Sequence, residues 1–266
     1  MTTASLAAFD KLAPSYDASF TTSIIGAILR QTVHRRLETL FNVGDHILDL
    51  GCGTGEDAVF LAQRGIHVAA VDASARMVEK ARQKCDTFGL HEKLTIEQCR
   101  IEEWPLSTSS HSGASYDGVL SNFGALNCVD DLGIIATRLA KAIKPGGRLI
   151  LVVMGPFVPW EWLWYLAHAQ PGKAFRRLER GGISWRGLTV RYPGPTALKR
   201  NFAPSFDVQR LAPLGFLVPP SYVEEWAQRH PRFVQRLAHW ERRLEHVSLL
   251  GWLSDHYILE LERRAE

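Results

Sequence analysis

The chain has 266 residues, 46% hydrophobic and 22% charged. That balance is ordinary for a globular protein, is large enough to bury a core, and excludes disordered, collagenous and coiled-coil classes. A net charge of +3, from 31 basic and 28 acidic residues, creates no overall field of the kind that announces a nucleic-acid binder.

In chain order, Met1 to Ala8 lack a basic start followed by an apolar run, so no secretory signal is expected. Ser5 to Thr39 reads as two helices separated around Ala13-Pro14-Ser15, a helical cap within residues 1–44 that has no place inside a sheet. From Asp45 to Met154, short aliphatic runs alternate with helical periodicity, the signature of βαβ units on a parallel sheet. Strands are expected at His46 to Asp49, His67 to Asp72, Leu94 to Cys99, Tyr116 to Ser121 and Arg148 to Met154. Helices are expected at Glu56 to Arg64, Ala75 to Phe88 and Leu132 to Ala142, the last stopped by Pro145-Gly146-Gly147, with a polar loop at Ser107 to Ser115. Residues 45–154 form a doubly wound α/β core.

The most apolar window, Leu149 to Ala169, is long enough to span a bilayer, but Pro156, Pro159 and Glu161 interrupt it. The better reading is a buried strand followed by an aromatic helix, Trp160 to His168. Residues 155–204 form an insertion over the sheet, with a hairpin of Ile183 to Arg186 and Thr189 to Tyr192 turned at Gly187. Residues 205–266 return to the sheet through a strand at Phe206 to Leu211, a helix at Tyr222 to Glu245 and a last strand at His256 to Glu262. No linker separates these parts, so the whole chain, 1–266, reads as one domain. The cysteines Cys52, Cys85, Cys99 and Cys128 form no CxxC pair and have no histidine at zinc spacing; no metal site is expected, and a reduced, cytoplasmic compartment is the simplest reading.

The residues most informative about chemistry are Ile47-Leu48-Asp49-Leu50-Gly51-Cys52-Gly53-Thr54-Gly55-Glu56, a strand entering a glycine-rich turn that opens a helix. Glycines serve where a backbone turns tightly and a ligand approaches without a Cβ in the way. Gly51-x-Gly53-x-Gly55 departs from the GxGxxG spacing of dinucleotide binders, and Glu56 and Asp57 at the helix start oppose a pyrophosphate. Asp72, ending the second strand, suits a ribose diol through two accepted hydrogen bonds. Adenosine without phosphates satisfies both observations.

Together with Phe9-Asp10-Lys11-Leu12-Ala13-Pro14-Ser15-Tyr16-Asp17, Val71-Asp72-Ala73-Ser74-Ala75-Arg76-Met77 and the Lys144-Pro145-Gly146-Gly147 turn, this motif resembles the class I S-adenosylmethionine-dependent methyltransferases, within the group acting on quinones, lipids and other small molecules. The resemblance covers residues 9 to 154 and the remainder in outline. It implies a Rossmann-like, doubly wound, seven-stranded sheet whose last strand is antiparallel, with S-adenosyl-L-methionine as cofactor and S-adenosyl-L-homocysteine as product. It assigns Asp49, Gly51, Gly53 and Gly55 to the methionine side and Asp72 to the ribose. Ala73 and Met77 would flank the adenine, and Ile101 would close its other face. Asn122 would sit near the sulfonium and substrate, and Tyr16 would cover the cofactor from the cap. Such proteins often carry an acidic residue just before the Ile101 position; here it is Arg100, with Glu102 or backbone groups as substitutes at the adenine edge.

The Asn-Pro-Pro-Tyr signature of planar-nitrogen methylation is absent, the fourth strand ending in Ser121-Asn122-Phe123-Gly124, so base methylation is disfavoured. The acceptor pocket is expected under the insertion, where Trp160, Trp162, Trp164 and Tyr165 would either enclose an apolar substrate or pack as a stripe on the sheet. His168 is either a satisfied surface or core histidine or the candidate catalytic base, with Glu161 as another proton acceptor. Lys173 to Arg210 holds nine basic and two acidic residues, either a solvated face or a landing surface for something anionic. Aromatic residues beside arginines there, and again from Trp226 to Arg243, suit a membrane interface. The expected activity is methyl transfer to a small molecule, apolar or lipid-like with an anionic group, on oxygen, with peripheral membrane contact. Nitrogen or carbon methylation, and a non-catalytic module that only binds the cofactor, are the alternatives.

Overall fold

The computed structural model describes residues 3–104 and 116–265; the polar loop at Ser107 to Ser115 lies outside the described residues. Helices α1 (Thr3–Tyr16) and α2 (Ile24–Leu40) precede β1 (His46–Leu50). The chain then alternates through α3 (Glu56–Ala62), β2 (His67–Asp72), α4 (Ala75–Phe88), β3 (Leu94–Gln98), β4 (Tyr116–Ser121), α5 (Leu132–Ala142) and β5 (Ile143–Met154). Next come α6 (Pro159–Ala167), α7 (Pro171–Ala174), the hairpin β6 (Ile183–Trp185) and β7 (Leu188–Val190), and α8 (Pro195–Phe202). The chain closes with β8 (Phe206–Leu214), α9 (Glu224–Arg229), α10 (Pro231–Leu244) and β9 (His256–Arg263).

Seven strands form one sheet in the order β3-β2-β1-β4-β5-β9-β8, in which β9 runs antiparallel to both its neighbours. Near-continuous apolar runs are what a sheet covered on both faces requires. Ile47 faces the core shared with α2, α3 and α4, while its neighbour Leu48 faces the core shared with α5 and α8. The alternation repeats on β5, where Ile150 and Val152 face the first core and Leu149, Leu151 and Val153 the second. The order reverses between β1 and β4, so a crevice opens where the two adjacent strands end, the usual ligand position in such sheets.

Three boundaries differ from expectation for local reasons. Helix α1 continues through Pro14, which removes a single N–H near the helix end, and the break falls at Asp17–Thr21, a π-helical turn ahead of the Ser23 N-cap, whose Oγ accepts from Gly26 N at 3.0 Å. The helix expected over Tyr222 to Glu245 divides into α9 and α10 because Pro231 begins a new helix and pushes His230 off helical geometry. The Lys144–Gly147 turn is absorbed into β5 as a register shift against β4 rather than ending before it. The hairpin of the insertion forms as expected, with Arg186 and Gly187 both at positive φ (52° and 84°) in a two-residue turn that matches strand twist.

Glu224 ties the C-terminal helices to the N-terminal ones, its two carboxylate oxygens accepting from Ile24 N (2.8 Å) and Ile25 N (3.1 Å) at the start of α2. These are donors that no turn of the helix can satisfy. Glu224→Ala should cost about 1 kcal/mol and lower the thermal midpoint by about 2–4 °C, measured by circular dichroism, whereas Glu225→Ala, one position along and exposed, should leave it unchanged.

Candidate functional site

The glycine turn after β1 is held by backbone bonds to the end of β2: Gly51 N and Cys52 N both donate to Val71 O, at 2.8 and 3.0 Å. Gly51, Gly53 and Gly55 all have positive φ, but they serve different ends. A Cβ on Gly51 would fall 2.3 Å from Ala125 Cβ and one on Gly55 2.7 Å from Ala81 Cβ, so both permit close packing; a Cβ on Gly53 would meet nothing within 4 Å. Asp72 fastens the turn, Oδ2 accepting from Gly53 N (2.9 Å) and Oδ1 from Ser74 N (2.8 Å). Burial outweighs these donors and raises its carboxyl above the ordinary value. Asp49 is buried at the end of β1, its Oδ2 without a hydrogen-bond partner among the described residues, and burial with the nearby Asp57 charge raises its carboxyl well above the usual range.

Asp57, on the first turn of α3, is the hub beneath this turn. Its carboxylate meets Arg30 Nη1 at 2.5 Å, His34 Nε2 at 2.7 Å and Asn122 Nδ2 at 2.8 Å. Burial opposes the charge, but Arg30 and His34 hold the carboxyl well below the ordinary carboxylate range. Glu56 beside it pairs with Lys84 (2.9 Å), which also contacts Asp17 (3.0 Å) on the segment after α1. Asp17 in turn accepts from Thr54 Oγ1 at 2.6 Å, and Asp10 of α1 accepts from Ser74 Oγ at 2.6 Å, so two carboxylates latch the N-terminal cap onto the loops that follow β1 and β2.

Above these loops lies a cavity of about 540 Å³. Gly51, Gly53, Asp72, Ala73, Met77, Ile101 and Glu102 line one half, and Tyr16, Phe20 and Leu12 of the N-terminal segment cover it. The other half is bounded by Asn122, Phe123, Met154 and His256 at strand ends, roofed by Ile183, Trp185, Leu188 and Val190 of the hairpin, and rimmed by Tyr192, Tyr222 and Arg176. Asn122 reaches the wall with both ends of its amide engaged, the second as an acceptor for Phe123 N at 2.9 Å. Phe123 adopts φ 45°, unusual for a bulky residue, and its ring meets those of Phe20 (4.8 Å) and His256 (5.6 Å) edge-on. Burial pushes the Tyr16 hydroxyl and the Cys128 thiol up to about 12.

Of the residues singled out from sequence, Tyr16, Gly51, Gly53, Asp72, Ala73, Met77, Ile101, Glu102 and Asn122 meet on this wall, while Asp49 and Gly55 lie behind it. Arg100 turns toward Glu103 (3.4 Å), leaving Glu102 on the cavity side. His168 does not reach the cavity: it ends α6 exposed, with Nδ1 2.7 Å from Trp164 O, so it is no base for this site. Nor do the aromatic residues of α6 line it. Trp160 Nε1 donates to Leu217 O at 3.0 Å, Trp164 packs on the core, and Trp162 contacts Phe175. Glu161 is buried between Arg176 and Arg177, each at 2.6 Å. The insertion walls the cavity with its hairpin instead. His256, missed from sequence, had a legible sign in Asp255-His256: two adjacent ionisable residues where a strand enters an apolar sheet.

A doubly wound sheet with a reversed last strand, and a glycine turn and acidic strand end facing a cavity at the switch point, define a Rossmann-like nucleoside-binding methyltransferase fold. A methyltransferase-domain family model matches residues 47–147. A demethylmenaquinone methyltransferase of Symbiobacterium thermophilum is 28% identical over 211 residues, 73% of this chain and 80% of that protein. A tRNA 5-carboxymethoxyuridine methyltransferase of Escherichia coli is 29% identical over 126 residues, 47% of this chain and 46% of that one. Among solved structures, the geranyl diphosphate C-methyltransferase of Streptomyces coelicolor, in complex with S-adenosyl-L-homocysteine, superposes with a TM-score of 0.55 at 15% identity, covering 88% of this chain and 78% of that one. These similarities support a class I S-adenosylmethionine-dependent methyltransferase that uses S-adenosylmethionine as its cofactor.

The Asp57 hub makes a pH-dependent contribution to stability. A depressed carboxyl stabilises the fold above its unfolded value, about 3.9, and that contribution is lost as pH falls below it. The urea midpoint should therefore fall as pH drops below about 4. Asp57→Asn strands a buried Arg30 charge, so it should lower stability at neutral pH by about 3–5 kcal/mol and fall less steeply in acid, Asp255 supplying the remaining slope. Equal midpoints and slopes for the two proteins would remove Asp57 from this role.

Proposed function

We propose that this methyltransferase acts on a quinone-type or other lipid-like small molecule, bound in the hairpin-roofed half of the cavity with the cofactor in the other half. The carrying observation is the division of the wall: Ile183, Trp185, Leu188, Val190, Met154 and Phe123 make one half apolar and aromatic, beside a half that offers carboxylates and a glycine turn. The demethylmenaquinone methyltransferases among its relatives support the same acceptor class.

The cofactor half suits adenosylmethionine atom by atom. Each Asp72 oxygen, after accepting one backbone N–H, keeps a lone pair for a ribose hydroxyl. Gly53 leaves its approach open, and Gly51 and Gly55 hold the turn close. Asp49, with Oδ2 unpartnered among the described residues, stands behind this turn on the side where the methionine moiety would lie. Ala73, Met77 and Ile101 would flank the adenine, Glu102 would stand at its edge, Asn122 would border the methyl group, and Tyr16 would cover the site. Bound, the cofactor supplies a methyl group already activated on sulfur. The chain's own residues orient the acceptor and exclude water, and orientation alone contributes about 7–11 kcal/mol in well-aligned reactions.

A lipid-like acceptor is delivered from a membrane surface in this reading. Exposed Leu163, Leu166, Phe175 and Leu178 lie on the insertion with Lys173, Arg176 and Arg180; Arg176 also stands on the cavity rim, and Tyr222 of the rim contacts Tyr165 of the same helix as Leu163 and Leu166. No helix among the described residues is long and apolar enough to cross a membrane. The whole chain acts as one unit, residues 1–44 as cap, 45–154 as cofactor core, 155–204 as acceptor roof and 205–266 as the remaining sheet.

With methyl-labelled S-adenosylmethionine and a short-chain prenylated naphthohydroquinone kept reduced, label should enter the organic phase, and mass spectrometry should place it on oxygen or carbon. Label confined to aqueous or acid-precipitable material from a host extract would sink this acceptor class. Asp72→Ala should weaken S-adenosylhomocysteine binding by about 100-fold, the loss of two charge-assisted hydrogen bonds, read by calorimetry.

A further inference from the structure

We propose that His256 is the general base of the methyl transfer, taking the proton of an acceptor hydroxyl while Asp255 fixes the imidazole; this rests on the acceptor class proposed above. His256 opens β9 at the cavity wall, buried and edge-on to Phe123. Its Nδ1 lies 3.0 Å from Asp255 Oδ2. Asp255 Oδ1 lies 2.6 Å from Arg177 Nη2, and Arg177 Nε lies 2.6 Å from Glu161 Oε2. Arg177 Nη1 also donates to the carbonyls of Asp255 (3.1 Å) and Gly155 (3.2 Å). Four buried ionisable residues thus stand in a row, Glu161, Arg177, Asp255 and His256, and only the last reaches the cavity wall.

Burying charges costs desolvation that pairing must offset, and Arg177 with its two carboxylates would close such a cluster without a histidine. The imidazole adds a group whose Nδ1 stands within 3.0 Å of a carboxylate, while Nε2 remains for the cavity. With the proton on Nδ1, facing that carboxylate, a histidine accepts a second at Nε2 and the carboxylate stabilises the resulting cation. Burial opposes the charge on Asp255, but Arg177 and His256 keep its carboxyl well below the ordinary range, so the carboxylate is present to do so. Other candidates on the wall are committed otherwise. Tyr16, Tyr192, Tyr222 and Cys128 are raised and stay protonated, and Asp72 holds the glycine turn.

The step balances without a further reactant. The acceptor O–H proton moves to Nε2, and the oxygen bonds the methyl carbon as the carbon–sulfur bond breaks with its electron pair on sulfur. The product leaves beside S-adenosylhomocysteine, and the imidazolium releases its proton to solvent. On a hydroquinone the same deprotonation also enriches the adjacent ring carbon; when carbon forms the bond, the ring proton leaves to solvent and the carbonyl oxygen takes one up, which restores the hydroxyl and leaves one proton released overall.

The test is His256→Gln, with folding verified by thermal midpoint and S-adenosylhomocysteine affinity unchanged. Toward the naphthohydroquinone, kcat should fall about 10²–10³-fold, and the acid limb of the wild-type kcat–pH profile should disappear. The groups that must be carried in that profile are Asp255, which faces His256, and those coupled to it: Arg177 of the segment after α7, Glu161 of α6, and Tyr192 and Tyr222 of the rim. A fluorinated analogue with a more acidic hydroxyl should recover most of the loss. A variant within threefold of wild type, or one that keeps the acid limb, overturns the assignment. Independently, nitrogen NMR of histidine-labelled protein should show Nε2 of His256 shifting when the naphthohydroquinone is added with S-adenosylhomocysteine, and no shift overturns it. Wild-type protein that fails to methylate this probe while His256 still responds would count against the acceptor alone.

Discussion

One buried carboxylate holds the layers of this molecule in register. Asp57 starts α3, yet its bonds reach across to Arg30 and His34 of α2 and to Asn122 at the end of β4. Isolated in a core, such a charge would be expelled or protonated; two basic partners and an amide make it the point on which cap, helix layer and sheet agree. The consequence reaches the cavity, because Asn122, once oriented by Asp57, accepts from Phe123 N and so fixes a residue held at a left-handed φ. Arg30 then lies 4.9 Å from the Phe123 ring centroid, closing a loop of contacts around the strand end.

The same economy governs the two halves of the cavity. The cofactor half is built from backbone, with the turn after β1 bonded to β2 and Asp72 returning the bond to Gly53, so its shape is set wherever these strands pair. The apolar half is built from side chains on a short hairpin whose own core is small, Leu188, Val190 and Cys128 with neighbours such as Trp185 and Phe9. A surface of that kind can change its residues without disturbing the strands below, and the methyltransferase-domain match, residues 47–147, ends before it.

How far the sequence was legible follows from this division. Strands and helices of the core were readable because each run is long, bounded by turn residues and buried on both faces, and β2, β4, α4 and α5 carry the expected bounds. The wall from Gly51 to Asn122 was readable because its residues sit at fixed offsets from strand ends. Places that went astray depend on competition between neighbours. Pro14 yielded to the Ser23 cap, and Pro231 won against a continuous helix. His168 offered a base and the tryptophans of α6 either a substrate wall or a packed stripe, and Glu161, buried between two arginines, turns that helix into a brace. His256 was passed over because its meaning depends on Asp255 and on Arg177, 78 residues away.

The reversal of β9 carries a consequence of its own. In the parallel strands β1, β2, β4 and β5 the C-terminal ends meet the crevice, and a parallel strand in place of β9 would deliver its last residues there too. Because β9 runs the other way, its first residue arrives at that edge, along with the loop that precedes it. One topological inversion therefore brings His256 to the wall that Gly51, Gly53 and Asp72 line from far earlier in the chain. Cofactor capture and acceptor chemistry can then diverge separately, since substitutions in the closing loop have no covalent neighbours in the glycine turn.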